Sequence, residues 1–165
     1  MKRNATLMLT ITLAALILMF FAGINYFKRQ ASDLPFRCSA FSRYDLSRHE
    51  GNKFEFRVSQ DLRFENKQSG YLLLNGQALS GGNMTLVNRR VRLINGAKVD
   101  DDTYRYEVDK IVISATDTTL DASFNNLLAE IMLDSSHLQL DVTKVDDNAY
   151  LIGGPLSYLF LCQRY

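Results

Sequence analysis

The side chains able to do chemistry are few and far apart. The chain of 165 residues holds two cysteines, Cys38 and Cys162, and two histidines, His49 and His137. The cysteines bracket nearly all of the sequence that follows residue 37. In an oxidising compartment such a pair forms one structural disulfide, closing a loop of about 125 residues and worth somewhat more than ~4 kcal/mol in chain-entropy treatments. The alternative is two unrelated thiols, each buried as a small hydrophobe. A redox or zinc centre has little support, since there is no C-x-x-C and the histidines stand apart. His49 falls in the turn-like Arg48-His49-Glu50-Gly51, and His137 shares the phase of Gln139 and Asp141, toward solvent or a partner. Either could sense mild acid, since histidine is the side chain that changes charge near neutrality, although a plain surface histidine explains both. Asp100-Asp101-Asp102 lacks the spaced oxygens and glycine of a calcium loop and is expected to be a solvated turn. Arg89-Arg90-Val91-Arg92, the densest basic cluster, is expected to be a solvated strand face rather than a phosphate site. No H-E-x-x-H, G-x-S-x-G, P-loop or G-x-G-x-x-G is present. The expectation is a protein without enzymatic activity, metal or cofactor.

The stretch that must place all of these is Ala5–Phe27, 23 residues without a charge, flanked by Lys2-Arg3 and Lys28-Arg29. At about 1.5 Å per residue a helix of this length reaches roughly 34 Å, enough to span a hydrocarbon core of about 30 Å. A cleaved signal is the competing reading, but its apolar region would be shorter, about 7–15 residues, and would end at a small-x-small site. Cleavage after Gly23 or Ala31 would put Phe21 or Arg29 at the minus-three position. An uncleaved anchor is therefore expected: a cytoplasmic stub and transmembrane helix over 1–27, a linker over 28–35 and an exported domain over 36–165. Basic pairs at both ends nearly cancel the positive-inside bias, and the short leading segment favours a cytoplasmic N-terminus. Thr6, Thr10 and Ala14 recur at four-residue spacing and form a candidate helix-packing face, although threonine is also tolerated by bonding its own backbone.

Beyond the linker the apolar period changes to two. Lys53–Asp61 sets Phe54, Phe56 and Val58 on one face; Thr103–Asp109 sets Tyr104, Tyr106 and Val108; His137–Thr143 sets Leu138, Leu140 and Val142. Such alternation marks half-buried antiparallel strands. Phe36–Ser42, Tyr71–Leu79, Asn83–Ile94, Ala149–Ile152 and Ser157–Gln163 are further candidates. In Asn83–Ile94 the phase slips between Met84/Leu86 and Val91/Leu93, predicting a bulge near Asn88–Arg90. Turns are expected at Asn75-Gly76, Gly81-Gly82-Asn83, Asn95-Gly96, Asp147-Asn148 and Gly153-Gly154-Pro155. The pattern is that of a β-meander, a barrel or a strongly curled sheet. One amphipathic helix is expected over Leu120–Leu133, capped by Thr118 or Thr119, to plug or flank the barrel. The ten phenylalanines and eight tyrosines would fill that barrel or line a cavity for an apolar ligand. Without Lys2 and Arg3 the charge is about −1, which gives no footprint for direct nucleic-acid binding.

The short Met1-Lys2-Arg3 start, the Ala5–Phe27 helix, Cys38 soon after it, the β-rich body and the closing Leu161-Cys162-Gln163-Arg164-Tyr165 together resemble the FidL-like inner-membrane proteins of enteric bacteria. The resemblance covers the full length and rests on architecture and end motifs. It implies a single-pass inner-membrane protein with a periplasmic domain, similar in arrangement to the ToxS and VtrC partners of ToxR-like transmembrane transcriptional regulators. It further implies a heterodimer with such a regulator and a lipocalin-like barrel, incomplete in the lone chain and closed by the partner, that binds an amphipathic molecule such as a bile salt. No ligand-contacting residue carries over. An envelope assembly factor, such as a tethered chaperone for an exported surface protein, is the alternative function.

Overall fold

Among the described residues the alternating side chains carry through into eight antiparallel strands and the apolar 3.6-residue stripe into a helix. The computed structural model describes residues 12–23, 36–47, 54–155 and 157–165. Residues 12–23 form a helix, α1, whose large apolar side chains between Leu13 and Phe21 are exposed. Thr6 and Thr10 of the expected packing face lie outside the described residues, and Ala14 lies on α1. Among the described residues no helix is long and apolar enough to cross a membrane. The chain divides into two units, Met1–Ser32 and Asp33–Tyr165.

In the second unit the order is β1 (Arg37–Asp45), β2 (Phe54–Phe64), β3 (Gly70–Ser80), β4 (Asn83–Lys98), β5 (Thr103–Ile113), α2 (Asp121–Ile131), β6 (His137–Asp146), β7 (Ala149–Gly153) and β8 (Tyr158–Arg164). Each strand pairs with the next, and β8 returns to β1, so the sheet is a closed barrel. The expectation of a ring left open for a partner's strand is thus corrected: the chain closes its own barrel. Closure covers the strand edges only where the β1–β8 ladder runs, at Cys38 and Ser39 against Arg164 and Gln163.

One face of every strand points inward. Phe56, Val58 and Leu62 of β2, Leu72 and Leu74 of β3, Val91 and Leu93 of β4, Leu138, Leu140 and Val142 of β6, and Ile152 of β7 are all nearly or fully buried. An aromatic group joins several strands: Phe36 stacks on Tyr150 at 4.5 Å between centroids and meets Phe64 edge-on at 5.3 Å, and Phe64 lies 5.2 Å from Tyr106. Helix α2 adds Phe124, Leu127, Leu128 and Ile131 to the same core. Core filling is the role of this stripe.

Four local expectations change. The β4 phase does not slip at Asn88–Arg90: Val87, Arg89, Val91 and Leu93 all face in, while Met84 and Leu86 face out. The irregularities fall between Arg92 and Leu93 and between Ile94 and Ala97. Asn95-Gly96 is therefore not a turn; Asn95 takes a positive φ of 52° within β4, and a Cβ on Gly96 would collide with the Tyr106 ring and the Lys67 carbonyl. Asn75-Gly76 likewise lies inside β3, where the Arg57 carbonyl of β2 leaves no room for a side chain at Gly76. Gly81-Gly82 does make a hairpin, both residues having positive φ. The helix start carries no threonine cap: Leu120 occupies that position without a side-chain bond, and the two threonine hydroxyls bond β4 instead.

Candidate functional site

The ladder that closes the ring is its shortest. Strand β1 matches β2 over nine residue pairs, but meets β8 over only two, Cys38 with Arg164 and Ser39 with Gln163. Three further bonds reinforce that corner. Cys38 and Cys162, both fully buried, form the expected disulfide, with Cα atoms 5.4 Å apart. The Tyr165 amide donates to the Arg37 carbonyl at 3.4 Å, and the Tyr165 hydroxyl reaches over to Asp61 on β2 at 2.6 Å. Burial alone would raise the Asp61 carboxyl; hydrogen bonds from Arg63 and Tyr165 outweigh it and hold the pKa below the ordinary value. The terminal Cys162–Tyr165 segment is thus a clasp.

Beyond the clasp the ladder stops. Among the described residues, Ala40–Tyr44 of β1 have a strand partner only on the β2 side, and Tyr158–Cys162 of β8 only on the β7 side. Each such edge presents backbone N–H and C=O groups to an incoming strand. Continuing the register would set Phe41 opposite Leu161, and both face outward, 72% and 60% exposed. Between them lies a depression of about 580 Å³ whose mixed lining includes Phe41, Ala149 and Leu161 together with Ser59, Asp146 and Gln163. Farther along β1, Arg43 bonds Glu55 at 2.7 Å, and Arg57 shares the same carboxylate. This surface can add an extended chain segment, with main-chain bonds along β1 and apolar contacts at Phe41 and Leu161.

Inside the barrel two polar groups are notable. Gln60 is fully buried; its Nε2 donates to the Tyr44 hydroxyl at 2.6 Å, and its Oε1 has no protein partner. Burial, the larger influence, raises the Tyr44 pKa against the bonds from Gln60 and Ser42. The Tyr150 hydroxyl is also buried without a partner.

Arg89 is not part of the expected solvated face. It points inward from β4, only 4% exposed. Its Nε and Nη2 bond the Asp117 carboxylate at 3.1 and 3.0 Å, its Nη1 bonds Asp121 at 2.6 Å, and Nη2 also bonds the Thr119 carbonyl. Its guanidinium lies 4.5 Å from the Phe124 ring centroid. Burial opposes the charge, but the Asp117 and Asp121 bonds outweigh it and raise the Arg89 pKa. Asp117 mirrors this: burial would raise it, and Arg89 with the Asn88 and Thr119 amides brings it down. Arg90 and Arg92 do lie on the outer face.

The remaining candidates do not converge. His137 opens β6, half-buried, and its Nδ1 lies 3.0 Å from Asp134. Backbone and side-chain bonds from Ser136 and His137 pull Asp134 down to about 2. His49 lies outside the described residues. Asp100–Asp102 sit in the β4–β5 turn, where the Asp101 amide bonds the Asp100 carboxylate. Among the described residues no group of three or more His, Cys, Asp or Glu could hold a metal ion. Sequence reasoning missed Arg89 with Asp117 and Asp121; the one available signal was that Arg89 shares the phase of Val87 and Val91.

Two comparisons bear on identity. The model of the family described as "FidL-like putative membrane protein" matches residues 76–162, from within β3 to Cys162. No curated protein matches the chain.

Proposed function

The chain belongs to the FidL-like membrane-protein family, and from that premise we propose that it is a membrane-anchored accessory subunit. Residues 1–27 hold it in the bacterial inner membrane with the N-terminus in the cytoplasm, and the barrel lies in the periplasm. There it pairs as a heterodimer with the periplasmic domain of a ToxR-like transmembrane transcriptional regulator and never touches nucleic acid. The observation that carries this reading is the β1 edge at Ala40–Tyr44, which lacks a second strand among the described residues and is flanked by exposed Phe41 and Leu161. Because the ring closes by itself, the regulator's strand extends the sheet at this edge instead of completing it. An amphipathic ligand such as a bile salt, bound better by the paired form, would shift the population toward pairing.

The test is co-purification of the full chain, in detergent, with a co-expressed candidate ToxR-like regulator. A stoichiometric complex that survives size exclusion is expected. Two separate monodisperse species would sink the sensory reading, and capture of an exported adhesin or pilin in its place would favour the tethered-chaperone alternative.

A further inference from the structure

All the acceptors that Arg89 uses lie on one continuous stretch of chain: Asp117, Thr119 and Asp121. The ring it stacks on, Phe124, belongs to that stretch too. None comes from the barrel wall. The stretch begins as a strap, Ser114–Thr119, laid along the outer end of β4 by bonds from Ser114 and Thr118 amides to the Asn88 and Leu86 carbonyls at 3.0 and 2.9 Å. It continues through α2 and rejoins the wall where the Val108 amide donates to the Ser136 carbonyl at 2.8 Å. The ring does not depend on it, since every strand-to-strand ladder and the disulfide lie outside the stretch.

We propose that residues 114–136 form a plug that leaves the barrel as one unit, and that Arg89 is the latch holding it seated. Helix α2 has eleven residues, no side-chain N-cap and no basic residue in its last turn. A helix of that length has little stability of its own. It is folded because it is seated, so release and melting of the helix are one event, a local opening below the level of global unfolding. Seated, the guanidinium exchanges water for carboxylates, a carbonyl and a ring face. Released, it regains water at the mouth. The state that is penalised is the intermediate one, a seated helix with the buried cation left unpaired. Four apolar side chains, Phe124, Leu127, Leu128 and Ile131, oppose release. The latch therefore governs how often the plug opens, and Asp117, whose side chain is 1% exposed, governs the latch.

Hydrogen exchange read by mass spectrometry on the full chain in detergent micelles tests this. Asp117→Asn should speed exchange of peptides within 121–136 by about 100-fold while β2 and β3 peptides stay within about threefold of wild type. Asp121→Asn, removing a carboxylate that is 73% exposed, should give the same pattern at a few-fold size. Adding Arg89→Met to Asp117→Asn removes the unpaired charge and should restore protection to within about tenfold of wild type. The proposal is overturned if Asp117→Asn leaves 121–136 unchanged, if β2 and β3 accelerate in step with it, or if the double variant opens more readily than the single one.

Discussion

A cation inside a barrel is tolerated only while its acceptors remain charged, and this fixes how the Arg89 pair responds to acid. The carboxyl of Asp117 lies below its ordinary value of 3.8 in the folded state. A depressed folded pKa contributes stability that is fully present above the unfolded value and is lost as pH falls through the folded one. The stability gap between wild type and Asp117→Asn should then be flat above about pH 5 and shrink below about pH 4. Urea titrations at stepped pH measure it, and a gap that persists unchanged to pH 2 would show that packing, not charge, is what the carboxylate supplies. Arg89 was hidden in the sequence because its partners lie 28 and 32 positions away and its neighbours are basic. A cluster of arginines looks solvated until the loop that neutralises one of them is located. Gly96 was misleading for a related reason. The glycine is required by the nearness of Tyr106 and Lys67, not by a hairpin, and only tertiary structure reveals that.

At the level of elements, the alternation was legible over residues 54–61 of β2, 103–109 of β5 and 137–143 of β6, where one face is wet and one dry, as the buried Phe56, Tyr106 and Leu140 show. It was not legible over the end of β5, where Val112 and Ile113 are both exposed. Nor was closure, since the β1–β8 contact joins the two ends of the domain and leaves no local pattern. With two residue pairs in that ladder, the disulfide between Cys38 and Cys162 is its principal tie. Cross-linking residues 124 apart restricts the unfolded chain by about 4–5 kcal/mol in entropy models. Replacing both cysteines by serine should lower the melting temperature by roughly 10 °C or more. The same variant should lose the reductant-dependent shift on a non-reducing gel, and β1 and β8 amides should exchange faster than those of β3. Uniform loss of protection around the ring would show instead that the disulfide acts only on the unfolded state.

At the level of the whole molecule, a barrel that closes itself still carries an open edge, because β6, β7 and β8 span ten, five and seven residues against eleven to sixteen for β2 to β5. The wall is low on one side, and there β1 keeps an unshared flank. Phe41 and Leu161 are exposed on that flank, so their substitution tests the proposed docking without touching the core. Surface changes of this kind leave stability within about 0.5 kcal/mol. Aspartate at both positions would place two like charges across the depression and in the path of an added strand. Phe41→Asp with Leu161→Asp should therefore leave the melting temperature near wild type while reducing recovery of the regulator at least about tenfold, the loss expected when apolar anchors at the centre of an interface are removed. Charge reversal at Arg92, on the outer face of β4 and salt-bridged to Asp109 at 3.6 Å, is the control and should leave recovery intact. If the aspartate pair binds the regulator as well as wild type does, the docking surface lies elsewhere on the barrel. If the Arg92 change alone abolishes binding, it lies across β4 and β5.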